Sequence, residues 1–289
     1  MRHFSIAAIA AASTITFTQI TLAADLPVKA PVVPIASADW TGFYIGLNTG
    51  GSVGTGSASQ DAVFSSTALG TNGLLSSSNR YSPYGWVVGG QLGYNKQISS
   101  WVVGVEADWQ WTSQKAGSSA CAPPAATVAF FGTGADGFGY CLAADQKLTN
   151  FGTARARGGI LTNENLLWYL TGGLAWGTVK ENLTFAGSAN PTVFPGVLQP
   201  GPFLGGSVGF STTKVGWTLG AGVETKLGGG WSAKLEYLFV DLGSVTDTMA
   251  IAINPAFGPV FNTGGVATAT STAHVMDNIV RVGLNYTFK

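Results

Sequence analysis

Charge is scarce in this sequence, and part of it falls in pairs two residues apart. Only 10% of the 289 residues are Asp, Glu, Lys or Arg, against about 25% in ordinary soluble proteins. Yet Glu106 and Asp108, Arg155 and Arg157, Glu224 and Lys226, and Lys234 and Glu236 each stand two apart, with Arg281 near the C-terminus. On a strand, residues two apart share a face. If those faces meet in a dry interior, the charges must pair, and the set is a structural salt-bridge network. If they line water, the same set is the filter of an ion-conducting path.

Other chemistry is sparse. Cys121 and Cys141 are the two cysteines, and in an oxidising compartment a pair at this spacing reads as a disulfide. Two thiolates without a nearby histidine do not complete a zinc site. The run from Gly132 to Gly137 matches a dinucleotide fingerprint by spacing, but no strand–helix–strand unit surrounds it. His274, close to Asp277, is the one histidine beyond His3. A rim histidine with a serine and an acid could serve a hydrolase, but no nucleophile motif accompanies it. The sequence therefore predicts no enzyme, cofactor or metal site. The 14 basic and 14 acidic residues cancel, which argues against a nucleic-acid partner.

The elements that must position the charges are strands. Trp101, Val103, Val105, Ala107, Trp109 and Trp111 alternate with Val102, Gly104, Glu106, Asp108, Gln110 and Thr112. Period two over such a length is strand, not helix. The same pattern recurs in residues 40–52, 83–96, 146–161, 166–178, 211–227, 231–240 and 272–288, giving eight segments. Each reaches the ~9–11 residues that a tilted membrane strand needs. Residues 96–100, 162–165 and 228–230 read as tight turns. Residues 52–82, 113–145, 180–210 and 241–271 read as four long loops rich in Gly, Ser, Ala and Thr. Short turns at one end and long loops at the other describe an outer-membrane barrel. The fold class expected is all-β, an eight-stranded antiparallel up-and-down transmembrane barrel, with short periplasmic turns and four long extracellular loops.

Tryptophan supports the reading. All nine lie in the proposed strands. Trp40, Trp101, Trp168 and Trp231 begin strands at the periplasmic side, and Trp86, Trp109, Trp111, Trp176 and Trp217 lie nearer the loops. Two aromatic girdles at the lipid–water interfaces account for them. On the other face, Glu106, Asp108, Glu224 and Glu236 would meet Arg155, Arg157, Lys226, Lys234 and Arg281. An eight-stranded interior is just wide enough for side chains to fill, which favours the salt-bridge network over the conducting path.

The N-terminus has the marks of export. Arg2 and His3 precede an apolar run over residues 4–12, and Thr21-Leu22-Ala23 suits signal-peptidase cleavage after Ala23. Residues 1–23 are thus expected to be a signal peptide. Residues 24–39, with Pro27, Pro31 and Pro34, form an extended periplasmic segment, and residues 40–289 form the barrel.

Several stretches resemble a known family. Ala24-Asp25-Leu26-Pro27, the run from Trp40 through Thr41-Gly42-Phe43-Tyr44-Ile45-Gly46-Leu47 to Asn48, and Gly152-Thr153-Ala154-Arg155-Ala156-Arg157 are similar to the Omp25/Omp31-like outer-membrane immunogenic proteins of alphaproteobacteria. So are Trp231-Ser232-Ala233-Lys234-Leu235-Glu236-Tyr237 and Val280-Arg281-Val282-Gly283-Leu284-Asn285-Tyr286. The resemblance covers the strands rather than the loops. It implies a small, porin-like barrel of the Gram-negative outer membrane, abundant at the surface, with Tyr286 and Phe288 as its C-terminal insertion signal. The partners expected are the lipid bilayer, lipopolysaccharide and the barrel insertion machinery, around a monomer or an oligomer. Some relatives bind haem, but no ligand motif for it is present. Three rivals stay open: a diffusion porin for small solutes, a barrel enzyme at the outer leaflet, and a haem-binding surface protein.

Overall fold

Alternation governs the whole described chain. A computed structural model describes residues 39–66, 70–122, 138–189, 204–253 and 266–288. The signal peptide and nearly all of the proline-rich segment lie outside the described residues. Eleven strands are seen: β1 (Gly42–Ser66), β2 (Gly70–Tyr81), β3 (Tyr84–Ile98), β4 (Trp101–Thr112), β5 (Lys115–Ala122), β6 (Phe138–Asn163), β7 (Leu166–Ala189), β8 (Leu204–Gly228), β9 (Trp231–Ala250), β10 (Ala252–Ile253) and β11 (Val266–Thr287). Antiparallel ladders run β1–β3–β4–β6–β7–β8–β9–β11 and back to β1, closing a ring of eight. Closure leaves no open edge, the only way for strands to cross lipid.

The ends differ as expected. Strands meet in tight turns at Ser99–Ser100, Glu164–Asn165 and Gly229–Gly230. The last of these stacks three residues with positive φ, Gly228 (+97°), Gly229 (+59°) and Gly230 (+87°), a conformation that side chains oppose.

At the other end the structure corrects the sequence reading. In the four segments expected as long loops, the described residues are largely strand. β6 has 26 residues and β1 and β8 have 25 each, roughly 80 Å of strand at ~3.3 Å per residue. The strands therefore continue far beyond the membrane. Two breaks mark the passage. β2 and β3 are one strand path interrupted at Ser82 and Pro83, where the Pro83 carbonyl still accepts from the Gly54 amide at 2.7 Å. β4 and β5 are likewise interrupted at Ser113 and Gln114.

Past these breaks the ring opens into two sheets. The β8–β9 ladder stops at Trp217 and Asp241, while β9 continues with β11 and β8 continues with β7. Among the described residues no ladder joins β2 to β5. One sheet is β2–β1–β11–β9; the other is β5–β6–β7–β8, with the short β10 paired to the start of β8. Between them Ala62, Leu142, Leu183, Phe185, Met249 and Ala269 are buried. The outer part is a small sandwich whose interior is mainly apolar but also buries Gln60, Glu181 and Ser271, and Cys121 and Cys141 bridge β5 to β6 there at directly paired positions.

Candidate functional site

The transmembrane section puts each face where alternation predicts. Phe43, Ile45, Leu47, Val103, Val105, Leu170, Leu219 and Leu235 are exposed on the outside, toward lipid, while Tyr44, Glu106, Asp108, Arg155, Arg157, Glu224, Lys234, Glu236 and Arg281 are buried inside. Strand register decides which charges meet. Glu106 is directly paired with Arg155 across β4–β6, Glu224 with Lys234 across β8–β9, and Glu236 with Arg281 across β9–β11.

The ion pairs also cross the lumen. The Arg155 guanidinium contacts Glu106, reaches Asp108 at 2.8 Å and reaches Glu236 at 3.1 Å. Arg281 binds Asp108 at 2.9 Å and Glu236 at 2.6 Å. Lys234 lies 2.9 Å from Glu106, and Arg157 lies 2.7 Å from Glu224. Hydroxyls and amides complete the shell. Tyr44 donates to Glu106 at 2.7 Å, Tyr169 to Glu236 at 3.0 Å, and Ser232 and Asn285 to Glu224 at 2.6 and 2.8 Å. Arg157 stacks on Tyr169 with its guanidinium carbon 4.0 Å from the ring centre. Charge-assisted bonds of this kind are the strong ones.

Glycine makes room for the tyrosines. A Cβ on Gly93 would sit 2.4 Å from the Tyr44 hydroxyl, and one on Gly222 would sit 2.5 Å from the Tyr169 hydroxyl. Both tyrosines hold lumen carboxylates, so part of the high glycine content serves the network.

Apolar layers lie at both ends of the charges. Trp40, Val102, Leu167 and Tyr169 form a buried cluster at the periplasmic end. Val87, Phe151, Leu238, Val240, Leu242 and Ile279 belong to a larger one on the outer side.

Two residues depart from the roles expected of them. Trp40 is not in a girdle. It is 2% exposed and lies inside the barrel floor, its indole N–H donating to the Glu164 carbonyl. Its even-number parity with Tyr44 and Asn48 was the signal that could have placed it there. Lys226 belongs to the periplasmic rim, its ammonium 4.7 Å from the centre of the Trp40 ring. The lumen network then holds four acids (Glu106, Asp108, Glu224, Glu236) against four bases (Arg155, Arg157, Lys234, Arg281), a closer balance than expected. Seven of the other tryptophans face outward, and Trp176 is half-buried over Gly152. Tyr286 and Phe288 stack edge to face at the C-terminus.

The histidine has other partners than expected. Asp277 points inward and binds Ser52 and Gln114. His274 lies on the outer face, between Asp241 at 3.1 Å and Ser244 at 3.2 Å. The Gly243 amide also donates to Asp241 at 2.8 Å. Gly243 has φ +74°, and the β9–β11 register slips beside it, so this trio fastens a β-bulge.

A closed eight-stranded ring with an apolar belt, a charged interior and strands extended on one side defines an outer-membrane barrel. The chain belongs to the family described as outer membrane protein beta-barrel domain, whose model matches residues 9–288. It is 33% identical over 293 residues to the 31 kDa outer-membrane immunogenic protein of Brucella melitensis, covering all of both chains. It is 26% identical over 260 residues to the 25 kDa outer-membrane immunogenic protein of Brucella ovis, covering 88% of this chain and 97% of that one. Among solved structures, Neisserial surface protein A is similar at 13% identity, covering 83% of this chain and 99% of that one with a TM-score of 0.31. The protein is thus an outer-membrane barrel, and the relatives it matches are named outer-membrane immunogenic proteins.

Proposed function

We propose that the protein is a structural, surface-exposed barrel whose lumen is closed to dissolved solutes. One observation carries this reading: the four acids and four bases bind one another across the lumen, and all eight are buried. An eight-stranded interior has little room beyond its side chains. A wet conduit would leave such charges solvated, whereas these are bonded to each other and lie between apolar layers. The lipid bilayer and lipopolysaccharide are its surroundings, and Tyr286 and Phe288 offer the insertion machinery an aromatic C-terminal signal. Ring closure is complete within one chain, which supports a monomer.

Planar-bilayer recording tests the closed lumen. The purified, folded protein is expected to give no stepwise conductance. Reproducible ohmic steps from the wild-type protein would overturn the closed lumen and make it a diffusion porin.

A further inference from the structure

The two outer sheets differ in the charge they show outward. On β9 and β11 the outward residues are Ser244, Thr246, Thr248, Thr270 and Thr272, with hydroxyls bonded across the strands. On the other sheet Lys115, Lys147 and Lys180 form one row. Lys115 is directly paired with Lys147 across β5–β6, and Lys147 with Lys180 across β6–β7. All three are exposed, and among the described residues no carboxylate lies within ion-pair distance of any of them. Like charges placed directly opposite one another on a sheet repel. The Cys121–Cys141 bridge on the same ladder holds β5 and β6 in this register, so the lysines cannot slip apart.

Height selects the occupant. Lys115 lies four residues beyond Trp111, and Lys180 four beyond Trp176, both girdle residues on the outer side. Four residues are ~13 Å of strand, or roughly 10 Å along the membrane normal at the usual tilt. That reaches the headgroup layer just outside the hydrocarbon. A shallow groove runs beside the row, lined by Gly117, Asp145, Asn182 and Gly209 as well as the lysines. Asp145 leaves the outward face with a net charge of two positive, since Glu181, which also borders the groove, is buried.

We propose that Lys115, Lys147 and Lys180 form a lateral docking site for the phosphate groups of lipid A in the outer leaflet. The phosphates relieve the repulsion within the row. The site rests on the outward orientation of the long strands, but not on whether the lumen conducts.

The test is retention of bisphosphorylated lipid A by the full-length folded protein through detergent exchange, read by native mass spectrometry. A lysine near an anionic surface contributes about fivefold, so K147Q should weaken retention about fivefold and the triple variant K115Q/K147Q/K180Q about a hundredfold. K96Q, at the periplasmic end, should leave it unchanged. Heat-modifiable gel mobility should show all variants folded, since removing like charges relieves strain; K147Q alone suffices if the triple variant does not fold. Equal retention by wild type and K147Q, or equal retention of dephosphorylated lipid A, would overturn the site. So would displacement by millimolar inorganic phosphate, which would make it a site for free anions. Orientation is read separately: Lys96 should escape a membrane-impermeant amine reagent on intact cells. Its labelling would refute the topology rather than the lipid site.

Discussion

The Trp40 indole donates its N–H to the main-chain oxygen of Glu164, 3.1 Å away across the barrel and 124 residues along the chain. Trp40 precedes the first strand, and Glu164 sits in the turn between β6 and β7. The contact ties the start of the barrel to its far wall, while the Trp40 amide donates to Gln97 in β3 at 2.9 Å. Trp40 is thus the side chain that ties together the floor it shares with Val102, Leu167 and Tyr169. Truncating a buried Trp costs about 3–5 kcal/mol. Trp40→Ala should lower the thermal transition in detergent more than Trp168→Ala, whose side chain faces lipid. The melting temperatures of the two variants measure the difference, and a larger loss for Trp168→Ala would return Trp40 to the girdle.

The charge network predicts a second asymmetry. Arg157 is buried, and Glu224 accepts from it at 2.7 Å. Removing one partner of a buried pair leaves the other uncompensated, at about 3–5 kcal/mol. Arg157→Ala should therefore destabilise the barrel strongly, whereas Lys115→Ala, at an exposed site in the lysine row, should leave its transition unchanged or raise it. Equal melting temperatures would mean that water reaches Arg157.

How much of this could be read from the sequence depended on contrast between faces. In β4, Trp, Val and Ala on one side and Glu, Asp and Gln on the other differ sharply, because one faces lipid and the other faces charge. In β11 the alternation beyond the membrane is Ala against Thr: Ala267, Ala269 and Ala273 are buried while Thr268, Thr270 and Thr272 face out. Both types are small and uncharged, so that stretch resembles a loop by composition. Partner choice was out of reach for a different reason. His274 follows a bulge at Gly243, and a one-residue slip redirects side chains to the other face. The lumen charges were legible as a face, but Lys226 shares that face and differs only in height. Height depends on register and tilt, which no single strand encodes.

Glu181 gives a pH prediction in the outer sandwich. It is buried on β7, and neither carboxylate oxygen makes a normal hydrogen bond to a described residue. Burial pushes its pKa up to about 7, with Asp247 adding to the rise and the Ser271 hydroxyl opposing it. A raised carboxyl pKa means that the folded state holds the proton more tightly than the unfolded chain. Stability should therefore fall as pH rises from the ordinary carboxylate range through about 7. Limited proteolysis and amide exchange of β7 at pH 5 and pH 8 should show looser outer strands at the higher value. Glu181→Gln carries no titratable group and should flatten this dependence. An unchanged pH profile in that variant would remove Glu181 as its source.

The lipid face offers the sharpest test of membrane placement. Leu219 is 58% exposed and its neighbour Thr218 is 2% exposed. Both lie in β8, two residues and one residue beyond Trp217 toward the periplasmic end. Leu219 pairs with Gly172 and Phe239 on the adjacent strands, with its side chain toward lipid. An arginine near the bilayer midplane of such a barrel costs roughly 2–4 kcal/mol, and much less near the interfaces. Thr218 instead donates to the Phe239 carbonyl at 2.8 Å, in a crowded interior where arginine meets a steric cost. Comparing the two arginine variants alone would mix these effects, so serine variants separate them. Leu219→Ser changes no volume inside the barrel and should fold with a modest loss, whereas Leu219→Arg, two residues below the Trp217 girdle and short of the midplane, should insert less well and melt below it. Thr218→Ser keeps the hydroxyl and should match the wild type, and Thr218→Arg reports crowding alone. The check is folded yield in lipid vesicles by heat-modifiable mobility, repeated in detergent. In detergent the arginine can find water at the micelle edge, so Leu219→Arg should recover there while Thr218→Arg should not. Equal damage from Leu219→Arg in vesicles and detergent would place Leu219 against protein rather than lipid.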